Sequence, residues 1–328
     1  MGASGGMGSG GMVGPQNPSA AVCGVYLRLL LTAVLWGGTF VAARVAAREA
    51  GPFAGSFLRF FAACLILVPL VLRREGPRIR LRGRQVFWVI LLGLTGVFGY
   101  NVFFFLGLQT VTAGRASLIV ANNPVFIALF ATLLFRERMT GGRLAGIFLS
   151  LAGAVVVITR GNPAEILHGG IGAGELYILG CVASWVAYSL IGKVAMDGMS
   201  PLLAVTASCV LGMLFLLPPA VAEGMLRQVP GYGWVTWMGI AYLGVFGTVL
   251  GFLWYYEGIR AIGPSRAGIF INFVPVSGVL LGWLLLGETV DLSLLVGAVL
   301  VVGGVALVNR TPPATRAGRP GLRETPGS

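Results

Sequence analysis

One arginine inside an otherwise apolar stretch is the residue best suited to bind a charged group. Arg59 lies within the stretch 53–72, between Leu58 and Phe60. Its guanidinium donates several hydrogen bonds in a planar fork that matches a carboxylate. Because an isolated charge among apolar residues is costly, such an arginine binds an anionic ligand group, extends to lipid headgroups, or hydrogen-bonds backbone carbonyls. We treat Arg59 as a candidate ligand-binding residue and keep the other two roles open.

Side-chain amides form a second group of candidates. Asn101, Asn123 and Asn272 lie inside or near apolar stretches, where an amide can bind a polar ligand or link two helices. Pro124 follows Asn123 and removes a helix hydrogen bond, and Pro275 does the same later in the chain. Interrupted helices often line binding sites, so we expect these amides to bind substrate, with a simple packing kink as the alternative.

Two clusters of aromatic and hydroxyl residues share one helical spacing. They are Trp36, Thr39 and Phe40 in the first half of the chain and Trp185, Tyr188 and Ser189 in the second. Residues at i, i+3 and i+4 lie on one helix face, and an aromatic face can hold an apolar or cationic substrate. We expect Trp36, Thr39, Trp185 and Tyr188 to line a substrate site; helix packing or an interfacial aromatic belt is the alternative.

The acidic residues offer one candidate for proton coupling, Glu257, which lies at the end of a long apolar stretch. It can also form a surface ion pair with Arg260. Glu137 and Glu288 fall at stretch boundaries, where a carboxylate stabilises the start of a helix. The N-cap candidates beside them are Thr140 and Asp291.

Residues for enzymatic chemistry are scarce. The single lysine, Lys193, lies outside any phosphate-binding loop, and the single histidine, His168, has no cluster of carboxylates beside it. The four cysteines are widely spaced and form no C-x-x-C pair. We therefore expect no catalytic residues, no metal site and no cofactor, and we predict that the chain is not an enzyme.

Composition shows which elements must position these residues. Of 328 residues, 56% are apolar and 10% charged, and mean hydropathy is +0.88. Ten apolar stretches of about 20 residues each fit the thickness of a lipid bilayer. The composition excludes an ordinary soluble enzyme, a disordered chain and a coiled coil. We predict an all-α integral membrane protein with ten transmembrane helices, and the spread of basic residues between the stretches argues against nucleic-acid binding.

The basic residues also predict an orientation. With the N-terminus inside, inside segments hold 17 Lys and Arg residues and outside segments hold 5. We predict a multi-pass protein of the bacterial cytoplasmic (inner) membrane with both termini cytoplasmic. Residues 1–24 and 310–328 are expected to be disordered tails, and 161–173 a linker. Expected partners are the lipid bilayer and a small-molecule substrate, with the chain a monomer or homodimer.

The two halves of the chain repeat each other. Trp36, Pro52 and Pro69 match residues 149 positions later; the segment 96–99 matches with an offset of 148, and Arg115 and Pro124 with an offset of 151. We predict repeats at 25–160 and 174–309, with an insertion or deletion in the third helix. Since five helices is an odd number, the second repeat is inverted, as in alternating-access transporters.

Several of these segments resemble the drug/metabolite transporter (DMT) superfamily, specifically its EamA family. They are the sequences at 36–40, 58–60, 123–124, 136–138 and 287–288. The resemblance covers residues 25–309 and implies a secondary, non-ATP transporter that exports a small metabolite, such as an amino acid or drug-like compound, by alternating access. A channel-like facilitator and a polytopic membrane enzyme are the alternatives.

Overall fold

In a computed structural model, the chain folds into a bundle of helices that lie roughly side by side. The structure describes residues 18–76, 80–135, 139–162, 171–195, 199–262 and 264–310. Ten helices in this part of the chain are long and apolar enough to cross a membrane. We number them spans 1 to 10. Their bounds are Gly24–Ala46, Pro52–Glu75, Gly83–Leu108, Ala113–Leu134, Gly141–Ile158, Ala173–Ala195, Pro201–Ala222, Trp234–Gly258, Ala267–Leu286 and Leu292–Asn309.

The first helix is longer than the sequence predicts. It begins at Pro18, so residues 18–24, predicted as part of a disordered tail, are helical. This stretch contains Ala, Val and Cys but no charge, and it continues the apolar run that follows it. Arg310, predicted as the first residue of the C-terminal tail, is the last residue of the final helix. The other residues of the two tails, 1–17 and 311–328, and most of the linker, 163–170, lie outside the described residues.

The two five-helix repeats are packed against each other in a repeat-related pattern. Span 5 packs on span 10 and span 2 on span 7, each against its own counterpart. Span 1 contacts spans 8 and 9, while span 6 contacts spans 3 and 4. These exchanged contacts are those expected of two inverted repeats around a central axis, and they leave a space between the repeats.

Spans 3 and 8 each contain a π-helical segment, at Gly93–Gly99 and Leu243–Leu250. A π-helix has a wider turn than an α-helix, and such segments are frequent at functional sites. They contain the matching sequences at 96–99 and 244–247, where the offset between the repeats changes. The predicted insertion or deletion in the third helix therefore falls beside a local change of helix type.

Spans 4 and 9 are each broken once, just before the prolines that the sequence singled out. Span 4 is helical to Val120 and again from Asn123, and span 9 is helical to Ile271 and again from Phe273. The interruption expected from Pro124 and Pro275 is thus confirmed in both repeats.

Glycines allow spans 5 and 10 to cross closely. A Cβ atom on Gly304 would lie 2.6 Å from the Gly146 carbonyl oxygen, and one on Gly153 would lie 2.7 Å from the Val301 backbone nitrogen. Real Cβ atoms essentially never approach so near, and the atoms met here belong to the backbone. Small residues at such crossings let van der Waals contact hold two membrane helices together.

We expect Gly304→Ala to lower the free energy of unfolding by about 1–3 kcal/mol because the new methyl group forces the two backbones apart. Gly303→Ala is the matched control. A Cβ atom there would lie 3.8 Å from the nearest neighbour, Leu149 Cδ2, so the substitution fits without strain. Thermal unfolding of both variants in detergent tests this; equal melting temperatures would contradict the close crossing.

Candidate functional site

A cavity of about 960 Å³ lies between the two repeats, and all ten spans contribute residues to its wall. This volume is at the upper end for small-molecule sites. The eight residues that the sequence proposed for substrate binding all line it: Trp36, Thr39, Arg59, Asn101, Asn123, Trp185, Tyr188 and Asn272. Residues from six different spans are thereby brought to one place.

Arg59 is buried among the helices, with 8% of its surface exposed. Its Nη1 atom donates a hydrogen bond to Asn101 Oδ1 at 2.7 Å, and its Nε atom donates to Thr248 Oγ1 at 3.4 Å. The guanidinium thus lies between span 3 of the first repeat and span 8 of the second. Its hydrogen bonds go to cavity side chains, so the side chain does not extend to the headgroups in this structure.

The π-helical segments hold both partners of Arg59. Asn101 Nδ2 donates to the carbonyl oxygen of Val97 at 2.9 Å, and Thr248 Oγ1 donates to that of Leu243 at 3.0 Å. Each acceptor belongs to a π-helical segment, so these segments fix the orientation of the groups around the guanidinium. Sequence reasoning missed Thr248 as a site residue; the change of offset between the repeats was the one signal that pointed to its segment.

Aromatic rings form much of the remaining wall. Trp36 Nε1 donates to the Gly247 carbonyl oxygen at 2.9 Å, and its ring lies 5.4 Å from that of Tyr255 between centroids. In the other repeat, the ring of Trp185 lies 5.3 Å from that of Tyr100. The expected aromatic residues therefore pack against further rings of spans 3 and 8, which the helical spacing alone did not reveal.

The side-chain amides near the two helix breaks differ in their hydrogen bonding. Asn123 is 8% exposed, and its Oδ1 atom is buried with no hydrogen-bond partner in the described part of the chain. Asn272 lies at the break in span 9 and accepts a long hydrogen bond, 3.5 Å, from Asn309. A buried amide oxygen without a partner is costly, and a ligand that donates a hydrogen bond would relieve that cost.

Glu257 lies outside the lining of the cavity. Its carboxylate pairs with Arg28 at 3.0 Å, and the two side chains are 46% and 56% exposed. The pairing that the sequence suggested, with Arg260, involves a side chain outside the described residues. Such an exposed pair contributes little to stability.

We accordingly expect the transport rate of Glu257→Gln to stay within about twofold of that of the unaltered protein at every pH. The position of the carboxylate, away from the cavity, is the reason. Initial rates over a range of pH values, with Arg28→Gln as the control for the same ion pair, make the measurement. If the pH profile of the transport rate changes in Glu257→Gln but not in Arg28→Gln, this carboxylate takes part in proton coupling.

Carboxylates tie helices together at one end of the bundle, which we call the Glu288 face. Glu288 accepts hydrogen bonds from the backbone N–H groups of Ala113 and Gly114, at 2.8 and 3.0 Å, and pairs with Arg44 Nε at 3.1 Å. It thereby joins span 1 and span 4 of the first repeat to the loop before span 10. The sequence predicts that Glu288 stabilises the start of span 10; it caps span 4 instead, because the chain turns back over that helix end.

Two further carboxylates act similarly at this face. Glu223 accepts from the Ala54 N–H at 2.8 Å, at the start of span 2. Glu49 accepts from the Gly233 N–H at 2.8 Å, at the start of span 8, and this backbone donor, with the Thr236 hydroxyl, lowers the pKa of Glu49. Burial raises the pKa of Glu223. Each carboxylate links one repeat to the other.

The N-caps proposed from the sequence are confirmed. Thr140 accepts from the Arg143 N–H at the start of span 5, and Asp291 Oδ1 accepts from the Leu294 N–H at the start of span 10. Glu137 lies outside the described residues.

Comparison with known proteins matches both halves of the chain to one family. Residues 24–159 and 172–310 each match the profile of the EamA-like transporter family. An uncharacterized transporter of Bacillus subtilis (strain 168), YyaM, is 29% identical over 86% of this chain and 92% of its own length. A "probable terminal-alkyne amino-acid exporter" of Streptantibioticus cattleyicolor is 31% identical over 90% of this chain and 97% of its own length.

A solved crystal structure shares the fold. It has a TM-score of 0.59 and 21% sequence identity, and the match covers 88% of this chain and 98% of the other. The same arrangement of helices therefore occurs in a protein whose sequence has diverged widely.

Proposed function

Because the chain belongs to the EamA-like transporter family and is a multi-pass membrane protein, we propose that it is a secondary carrier that exports a small metabolite by alternating access. The observation that carries this proposal is the cavity between the inverted repeats, whose lining reaches the span ends on one side of the bundle and stops at least four residues inside them on the other. Binding at the interface of two such repeats lets rocking of one against the other expose the same site to either side in turn.

The cavity lining supports a state open towards one face. It includes Lys193, two residues before the end of span 6, Arg143, near the start of span 5, and Asn309, the last residue of span 10. All three lie at one end of the bundle, which we call the Lys193 face. Towards the opposite end, the outermost lining residues include Ser117, four residues inside span 4, and beyond it lies the link formed by Glu288.

The proposed orientation places the Lys193 face in the cytoplasm of a bacterium. It follows from the 17 basic residues on that side against 5 on the other. A substrate would then enter from the cytoplasm in the present state and leave once the Glu288 face opens.

Reporter fusions after Arg84 and at the C-terminus should both report a cytoplasmic location, because both positions follow segments on the side rich in basic residues. A fusion after Asn162, beyond span 5, should report the opposite side and serves as the control. A periplasmic signal from either of the first two would overturn the orientation.

Arg59 is the proposed contact for an anionic group of the substrate, such as a carboxylate. Two features support this role: the guanidinium lies in the cavity lining, and its two hydrogen bonds go to uncharged side chains. Trp36 and Trp185, one from each repeat, would contact the apolar part. A similar protein is named as an amino-acid exporter, and amino acids carry a carboxylate.

Flux of a panel of labelled metabolites into proteoliposomes tests the carrier. The proposal predicts a rate that saturates with concentration and is inhibited by an unlabelled compound of the same type. A rate that rises linearly and shows no competition would favour the channel-like facilitator instead.

A further inference from the structure

The charged side chains in the lining of the cavity all carry the same sign. They are Arg59, Arg143 and Lys193. Within the described ranges, every Asp and Glu side chain lies outside the lining, including those of the Glu288 face. A cleft lined by charges of one sign concentrates ligands of the opposite sign. Among the described residues, the lining therefore offers an anion a buried guanidinium, Arg59, and offers a cation no carboxylate.

Arg59 carries a buried charge that the surrounding residues do not neutralise. Its guanidinium donates hydrogen bonds to the amide oxygen of Asn101 and the hydroxyl oxygen of Thr248, and the centre of the Phe60 ring lies 5.3 Å from Cζ. None of these groups is charged, and no ion pair among the described residues includes Arg59. A buried guanidinium keeps its proton, so a bound carboxylate would supply the missing counter-charge.

The same cavity has nothing equivalent for an ammonium group. Its acceptors among the described residues are neutral; one of them, Asn123 Oδ1, is buried and lacks a partner. A neutral acceptor suits a hydroxyl or amide N–H, whereas a buried ammonium needs a counter-ion. The aromatic rings attract cations, but the described lining contains no carboxylate that could pair with an ammonium bound at these rings.

From this asymmetry we propose that the cavity selects monocarboxylate anions with an apolar or aromatic body over zwitterions and cations with the same body. The inference rests on the proposed carrier function and narrows its substrate class. Trp36, Trp185 and Tyr255 supply the surface for the body. The family relationship alone does not distinguish an anion from a zwitterionic amino acid.

This selectivity has a consequence for the driving force. A carrier that moves a monoanion moves one negative charge, whereas a carrier that moves a zwitterion moves none. An inside-negative potential of about 100 mV favours an exported monoanion about 50-fold at equilibrium. The membrane potential alone could therefore drive export of a monoanion.

Matched ligands that share one apolar body and differ in whether they carry a carboxylate, an ammonium group or both test the proposal. One set is 3-phenylpropionate, L-phenylalanine and 2-phenylethylamine; a second is 4-methylpentanoate, L-leucine and 3-methylbutylamine. Binding of each to the purified full chain is measured calorimetrically at pH 7.5. We expect the carboxylate to bind at least about tenfold more tightly than the amine in each set that binds, with the amino acid between them.

The proposal is overturned if an amine or amino acid binds as tightly as its carboxylate. It is also overturned if neither carboxylate binds at concentrations up to about 10 mM. Flux separates failure of the anion site from failure of the carrier. Carboxylates that bind without being transported would contradict the carrier function but not the anion site. Amino acids transported saturably, without competition from carboxylates, would contradict the anion site but not the carrier.

Discussion

Replacement of Arg59 by glutamine is expected to weaken carboxylate binding by about 100-fold. A charge-assisted hydrogen bond contributes about 1.5–3 kcal/mol, and the glutamine amide supplies neither the charge nor the planar fork. Binding of 3-phenylpropionate to the purified variant makes the measurement. The fold should survive because the glutamine amide nitrogen takes the place of Nε and can donate to Thr248 Oγ1, and removal of a buried, unneutralised charge relieves a cost.

Two further variants separate ligand binding from structure. Arg59→Lys keeps the charge but loses the fork, so we expect an intermediate loss of affinity. Arg28→Gln removes a guanidinium that is 56% exposed and pairs with Glu257 outside the cavity, so we expect no loss. Unchanged affinity in a well-folded Arg59→Gln protein would contradict the ligand role and leave Arg59 as a structural link between spans 2, 3 and 8.

Replacement of Glu288 by glutamine should open the Glu288 face. The carboxylate is 9% exposed and binds two backbone N–H groups of span 4 together with Arg44 of span 1. A glutamine has one acceptor oxygen instead of two and no charge to pair with the Arg44 guanidinium, and loss of one partner of a partly buried ion pair costs several kcal/mol. The equilibrium between the two states of the carrier should shift accordingly.

Thiol labelling detects that shift. In a background without the native cysteines, Ser117→Cys places a thiol at the outermost part of the cavity lining. We expect a membrane-impermeant reagent applied from the Glu288 face to label it at least about ten times faster when Glu288 is also replaced. Asp291→Asn is the control, because the amide still caps span 10 and the lost pair with Arg115 involves a 44% exposed carboxylate. Equal labelling rates of Ser117→Cys with and without the Glu288 substitution would contradict the role of Glu288 in closing this face.

The fold could be predicted from the sequence because the patterns that indicate it are local and occur in both halves of the chain. The length and number of the apolar stretches predict ten spans, and the paired motifs predict two inverted repeats. Repeat symmetry also brought Trp36 and Trp185 to one cavity, since related residues of inverted repeats face the same axis. Arg59 stood out as a charge inside an apolar stretch, and the residue 149 positions later, Ser208, lines the same cavity.

The interactions that the sequence could not reveal are those between distant elements. Thr248 meets Arg59 across 189 residues because a π-helical turn rotates its side chain relative to an α-helix. Glu288 caps span 4 rather than span 10 because a loop folds over a neighbouring helix end. Repeat symmetry also does not predict the face to which the cavity opens. Two inverted repeats can adopt either of two related states, and small differences in packing decide which of them is more stable.

Counterflow tests the central claim, a single site that faces the two sides of the membrane in turn. Proteoliposomes are loaded with a high concentration of an unlabelled carboxylate that binds, and a trace of the labelled compound is added outside. A carrier predicts that the label rises transiently above its equilibrium level inside, because each outward turnover returns the site loaded from outside. If the label approaches equilibrium with the same time course in loaded and empty vesicles, the protein is a channel and the alternating-access mechanism is wrong.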